Sequence, residues 1–113
     1  MAQPIPFNRR GVYGIKSVGA PTVTTDDVTV NFDAHPFVQA PYNGILIVDL
    51  SATAPTGTTG TLPVYFKTGN NARVAVTKAG GVALTAADIA STGYYLFFYD
   101  RASNTIQTFN SVV

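Results

Sequence analysis

Val28, Val30 and Phe32 alternate with Thr29, Asn31 and Asp33, and Leu62, Val64 and Phe66 alternate with Pro63, Tyr65 and Lys67. A two-residue period puts successive side chains on opposite faces of an extended chain, so both segments are predicted strands with one buried and one wetted face. Pro63 has no N–H to give to a ladder, so the second of these strands begins there or lies at an edge. Residues 45–50 and 94–99 lack the alternation and are nearly continuous in apolar character. That pattern predicts two central strands covered on both faces, with Ile47, Val48, Leu96 and Phe98 in the core. A weaker strand is expected over residues 12–18, ended by Gly19-Ala20-Pro21.

The segments between these runs carry turn chemistry. Asp26-Asp27 and Pro41-Tyr42-Asn43-Gly44 are predicted turns, and Gly- and Thr-rich residues 54–60 a loop. Gly69-Asn70-Asn71 joins the strand ending near Lys67 to an antiparallel partner over residues 73–77. Residues 101–104 do the same for residues 94–99 and 105–109. The one helical signal is residues 85–90, where Thr85 caps and Asp88 sits in the first turn. Strands roughly ten residues apart with turns between them predict an all-β fold, an antiparallel β-sandwich of about seven to eight strands with one short helical turn. Pro4, Pro6 and Gly11 disfavour both helix and ladder, so residues 1–11 are expected to be an extended arm and residues 12–113 a single domain.

Composition changes this picture in one respect. Of the 113 residues, 46% are apolar and only 12% charged, against an average near 25% charged for soluble domains. Much of the surface must therefore be Thr, Ala, Gly, Ser and Asn, which cost little to desolvate and lose little side-chain entropy when covered. Such a surface suits permanent burial against another protein. The formal net charge of +1 is too small to draw nucleic acid or an anionic membrane, and no run approaches the length of a membrane span. No apolar leader segment opens the chain, so cytoplasmic synthesis without a cleaved signal is expected. With no cysteine, stability has to come from packing.

Candidate chemistry is sparse. His35 is the only histidine, followed by Pro36, and only Asp33 lies near it in sequence, so no triad is legible. Asp26, Asp27, Asp88 and Asp100 fall where Asp bonds local backbone in turns. Asp49 is the exception, since it interrupts an apolar strand, and it is expected to be paired or to face solvent. No glycine cluster has the spacing of a phosphate loop, and no metal or other cofactor is expected. The reading is of a protein that is not an enzyme. Its candidate contact residues are tyrosines with large area and a polar handle, Tyr13, Tyr42 and Tyr65, together with the arm. In the arm, Ile5 and Phe7 are placed to plug a neighbour's groove, and Arg9 and Arg10 to fork onto carboxylates.

The stretch Pro55-Thr56-Gly57-Thr58-Thr59-Gly60-Thr61-Leu62-Pro63-Val64, then Leu84-Thr85-Ala86-Ala87-Asp88-Ile89 and Gly93-Tyr94-Tyr95-Leu96-Phe97-Phe98-Tyr99-Asp100, resembles small auxiliary capsid (head decoration) proteins of crAss-like tailed bacteriophages. The likeness spans roughly residues 44–110 and leaves the arm outside. It implies a β-sandwich in the virion, present in many copies, fixed to the major capsid protein or serving as a base for head-fibre proteins. A glycan-binding β-sandwich of a fibre or carbohydrate-binding module uses the same tyrosines and is the main alternative, though the chain has no Trp. An interaction module of bacterial origin is a third.

Overall fold

The computed structural model describes residues 12–33, 44–70, 72–100 and 103–108, with backbone alone at Val12, Tyr13 and Ala79. Among the described residues eight strands form: β1 (Val12–Lys16), β2 (Thr22–Val23), β3 (Val28–Phe32), β4 (Gly44–Leu50), β5 (Val64–Thr68), β6 (Val74–Thr77), β7 (Gly93–Asp100) and β8 (Thr105–Thr108). The only helical elements among the described residues are 3-10 turns at Ala79–Gly81 and Ala86–Ile89. The second begins at Thr85 as its sequence predicts. Asp88 Oδ2 accepts from the Thr85 backbone N–H at 2.9 Å and from its hydroxyl at 3.0 Å.

All eight strands belong to one curled sheet in the order β1-β4-β7-β8-β6-β5-β3-β2. The sheet is mixed, which corrects the antiparallel sandwich expected from the sequence: β1 and β4, β3 and β5, and β6 and β8 run parallel. The reason lies in the path of the chain, which alternates between two halves of the sheet. One half holds β1, β4, β7 and β8, and the other holds β2, β3, β5 and β6. Turn residues specify local antiparallel pairs, and both predicted hairpins form, β5 with β6 and β7 with β8. A strand that returns to its half after crossing the other has no local signal for its direction.

The two ends of the sheet meet at one point. Ser17, just past β1, bridges Phe32 at the end of β3, and the Val18 N–H donates to the Asn31 carbonyl at 2.8 Å. The Ser17 N–H donates to the Asp49 carbonyl at 3.0 Å, so two successive residues are bonded to opposite halves. Ser17 and Ser51 lock this corner. Their hydroxyls lie 2.8 Å apart, the Ser51 N–H donates to Ser17 Oγ at 2.8 Å, and the Ser51 hydroxyl donates to the Ser17 carbonyl at 2.8 Å. Gly19 then takes a φ of 67°, a left-handed conformation that side chains resist, and the chain crosses from β1 into β2.

The concave side of the curl is the core. Val28, Val30 and Phe32 of β3, Leu46, Val48 and Leu50 of β4, Val64 and Phe66 of β5, Val74 and Val76 of β6, Phe97 and Tyr99 of β7 and Ile106 of β8 are all buried. Phe32 and Phe66 meet edge to face with centroids 5.1 Å apart, and Phe66 and Phe97 at 5.2 Å, which ties the two halves together through one aromatic file. Tyr99 is fully buried, and its hydroxyl donates to Asn104 Oδ1 at 2.7 Å, which removes the cost of placing a phenol in the core.

The core residues expected on the two apolar strands need correction. Val48 is buried, but Leu96 is 48% exposed, and Ile47 and Phe98 are only half-buried. Both strands alternate after all: Leu46, Val48, Leu50, Phe97 and Tyr99 point inward, and Ile45, Ile47, Leu96 and Phe98 point outward. The strands are central in the ladder, with β4 between β1 and β7 and β7 between β4 and β8, but their side chains alternate between a buried face and a more accessible one. The expected arm, His35 and Tyr42 lie outside the described residues. No helix among those described is long and apolar enough to cross a membrane.

Candidate functional site

The outward side chains of β4 and β7 follow from the register. Ile45 lies opposite Phe98, Ile47 opposite Leu96 and Asp49 opposite Tyr94, and on the other flank of β4 Gly14 faces Ile47 and Lys16 faces Asp49. Because facing residues in a ladder point to the same side, Ile45, Ile47, Leu96 and Phe98 form a block of four apolar side chains on the convex surface. Tyr94, 77% exposed, stands at one end of the block beside Asp49. Gly14 leaves the β1 flank low, with open space where a Cβ would stand. The result is an apolar patch on a three-strand platform, with Lys16, Asp49 and the Tyr94 hydroxyl at one end and Asp100 at the other.

The convex surface of the other half is built differently. Tyr65 on β5, expected as a contact residue, has the Arg73 guanidinium over its ring at 4.0 Å from the centroid. Arg73 also donates to Thr29 Oγ1 at 3.1 Å and pairs with Asp27 Oδ2 at 2.9 Å. Thr24 Oγ1 donates to the Asp27 carboxylate at 3.1 Å, and Asn31 Nδ2 donates to Thr22 Oγ1 at 3.0 Å. The hydrogen bond from Arg73 holds the Asp27 carboxyl below its ordinary 3.8 and raises the guanidinium further above its own range. One face of the Tyr65 ring is therefore already occupied from within the chain.

The sequence-selected residues do not converge on one site. Tyr13 lies in β1 with its backbone opposite Leu46, Tyr65 sits on the other half, and Ile5, Phe7, Arg9, Arg10 and Tyr42 fall outside the described residues. Missing from that selection were Tyr94, Leu96, Ile47 and Phe98. Their signal was present in the strand itself: Asp49 and Asp100 each mark the outward phase of an apolar run, and counting back by twos from them gives the exposed face. A third feature, a cleft of about 170 Å³ between the loop over residues 53–60 and the turn over residues 86–90, is lined by Thr, Ala, Pro, Gly and Ile and offers no ionisable group. Among the described residues, no three of His, Asp, Glu and Cys gather in a group that could hold a metal ion. No protein-family model, curated protein or solved structure matches the chain.

Proposed function

We propose that the chain is a non-enzymatic structural protein that works by being covered, as a multi-copy component of a viral coat. The observation that carries this reading is the apolar block of Ile45, Ile47, Leu96 and Phe98 on the convex face of β4 and β7, with Tyr94 and Leu96 well exposed. Full burial of an exposed apolar side chain is worth roughly 1.5–3 kcal/mol, and covering this face would add the part of it that each half-buried or exposed side chain still lacks. A contiguous apolar patch beside a surface otherwise rich in Thr, Ala and Gly fits a protein that spends its working life in an assembly. The likeness of residues 44–110 to auxiliary capsid proteins of crAss-like phages supplies the kind of assembly: the major capsid lattice, with head-fibre proteins as further neighbours.

Quantitative mass spectrometry of purified particles tests it. The chain is expected at a copy number comparable to that of the major capsid protein. Its absence from particles, or its presence in a handful of copies, refutes a coat component. A glycan array read in parallel identifies the alternative, since saturable sugar binding lost on Tyr94→Ala assigns the patch to carbohydrate.

A further inference from the structure

We infer that the occupant of the β4–β7 convex face is the same face of a second copy of this chain. The inference rests on the reading of that face as a covered surface and names what covers it. Its basis is the order of groups across the two strands. A two-fold axis parallel to the strands and midway between β4 and β7 keeps each residue at its level along the strand and exchanges β4 with the partner's β7. Register then dictates the contacts: Ile45 meets the partner's Phe98, Ile47 meets the partner's Leu96, and Asp49 meets the partner's Tyr94. Apolar lands on apolar at two levels. At the third, a carboxylate lands beside a phenol hydroxyl that donates to it, and not beside a second carboxylate. Such self-complementarity is what an isologous interface demands, and face-to-face packing of two sheets with nearly aligned strands is the geometry β-sandwiches use.

Charge and area agree with this pairing. Lys16 and Asp49, register partners on the rim, carry opposite charges, and Asp100 stands on the same face at the other end of β7, so charge lies only at the ends of the apolar block. The four strands β1, β4, β7 and β8, 5, 7, 8 and 4 residues long and about 4.8 Å apart, present a projected footprint of roughly 380 Å² per copy, more along the corrugated side chains, the size of a weak, reversible interface. The polar half offers no equal candidate, because Arg73, Tyr65, Asp27, Thr29, Thr22 and Asn31 are already bonded to one another.

Sedimentation equilibrium of the full chain from about 5 to 200 µM reads the result, the range in which an interface this small is expected to associate. A monomer–dimer equilibrium is expected, with Leu96→Glu and Ile47→Gln each weakening dimerisation at least tenfold while keeping the wild-type circular dichroism melt. Lys67→Glu on the polar half should dimerise like wild type. A wild-type chain that stays monomeric throughout, or a dimer that both variants leave intact, overturns the inference. The measurement uses purified chain alone, so its failure leaves the copy number in particles untouched and the two readings fail separately.

Discussion

On the half of the sheet made of β2, β3, β5 and β6, the outward side chains are bonded to one another. On β4 and β7 the middle of the outward face, Ile45, Ile47, Leu96 and Phe98, is apolar, with Asp49, Tyr94 and Asp100 at its ends. Asn31 reaches Thr22, and Arg73 reaches Thr29, Asp27 and the face of Tyr65, so the polar surface is completed within the chain. Ile45, Ile47, Leu96 and Phe98 gain nothing further unless another surface covers them. Both halves use the same pleat and share one core. Polar content alone would make the first half look like the binding surface, since it holds the charged and aromatic groups. The contrast teaches that a polar cluster whose groups satisfy each other is a finished surface, whereas an exposed apolar block on a rigid ladder is one that awaits a partner.

The sharpest way to break this contrast is to exchange the two faces of a single strand. Phe97 is 2% exposed and packs on Phe66, and its neighbour Leu96 is 48% exposed. Phe97→Ala should cost about 3–5 kcal/mol through lost burial and the cavity left behind. Leu96→Thr should change the stability of the monomer by no more than about 0.5 kcal/mol. Urea unfolding of both variants decides it. Equal costs would mean that β7 is covered on both faces and that no open apolar surface exists.

This strand also shows how far the sequence could be read. Where polar residues alternate, at Val28, Val30 and Phe32 or at Val64 and Phe66, the inward face is legible and correct. In residues 94–99 every side chain is aromatic or Leu, so hydrophobicity within the run predicts cover on both faces and puts Leu96 and Phe98 in the core, and only the flanking Asp100 marks the outward phase. Both hairpins and the Thr85–Asp88 turn were legible because their determinants are a few residues apart. The parallel pairs were not, nor was the Ser17–Ser51 lock, whose partners are 34 residues apart and carry no local pattern.

That lock is the second test, because it stands at the seam where the two halves meet. Ser17 is 4% exposed, and Ser17→Ala leaves the Ser51 N–H without the acceptor it has at 2.8 Å. A loss of about 0.5–1.5 kcal/mol is expected, the range for a hydrogen bond whose remaining partner can still reach water. Hydrogen exchange should show the Val18 amide, bonded to Asn31 across the seam, losing protection more than the amides of the β4–β7 ladder. Uniform loss across the sheet would mean that the halves do not separate there.

The smallest effect expected is one of pH, and it should fall on the polar half. Asp27 is charged in the folded chain down to a lower pH than in the unfolded one, chiefly because Arg73 hydrogen-bonds to it, and desolvation only partly opposes this. A carboxyl with a depressed folded-state pKa contributes its stability in full above the unfolded value and loses it as pH falls through the folded one. The window therefore opens near 3.8 and extends below it. Asp88 behaves the same way, held down first by the Thr85 backbone N–H and also by Lys78, so acid loosens the turn over residues 86–90 as well. Separating the two takes one variant. Asp27→Asn should remove the part of the acid-induced drop in melting temperature that belongs to the Arg73 cluster and leave the Asp88 part. Followed by hydrogen exchange between pH 5 and pH 3, amides of β2 and β3 in the wild type should lose protection relative to β4 and β7, and the variant should show no such divergence. If β4 and β7 loosened first in acid, the polar cluster would not be the part of the surface that the chain completes for itself.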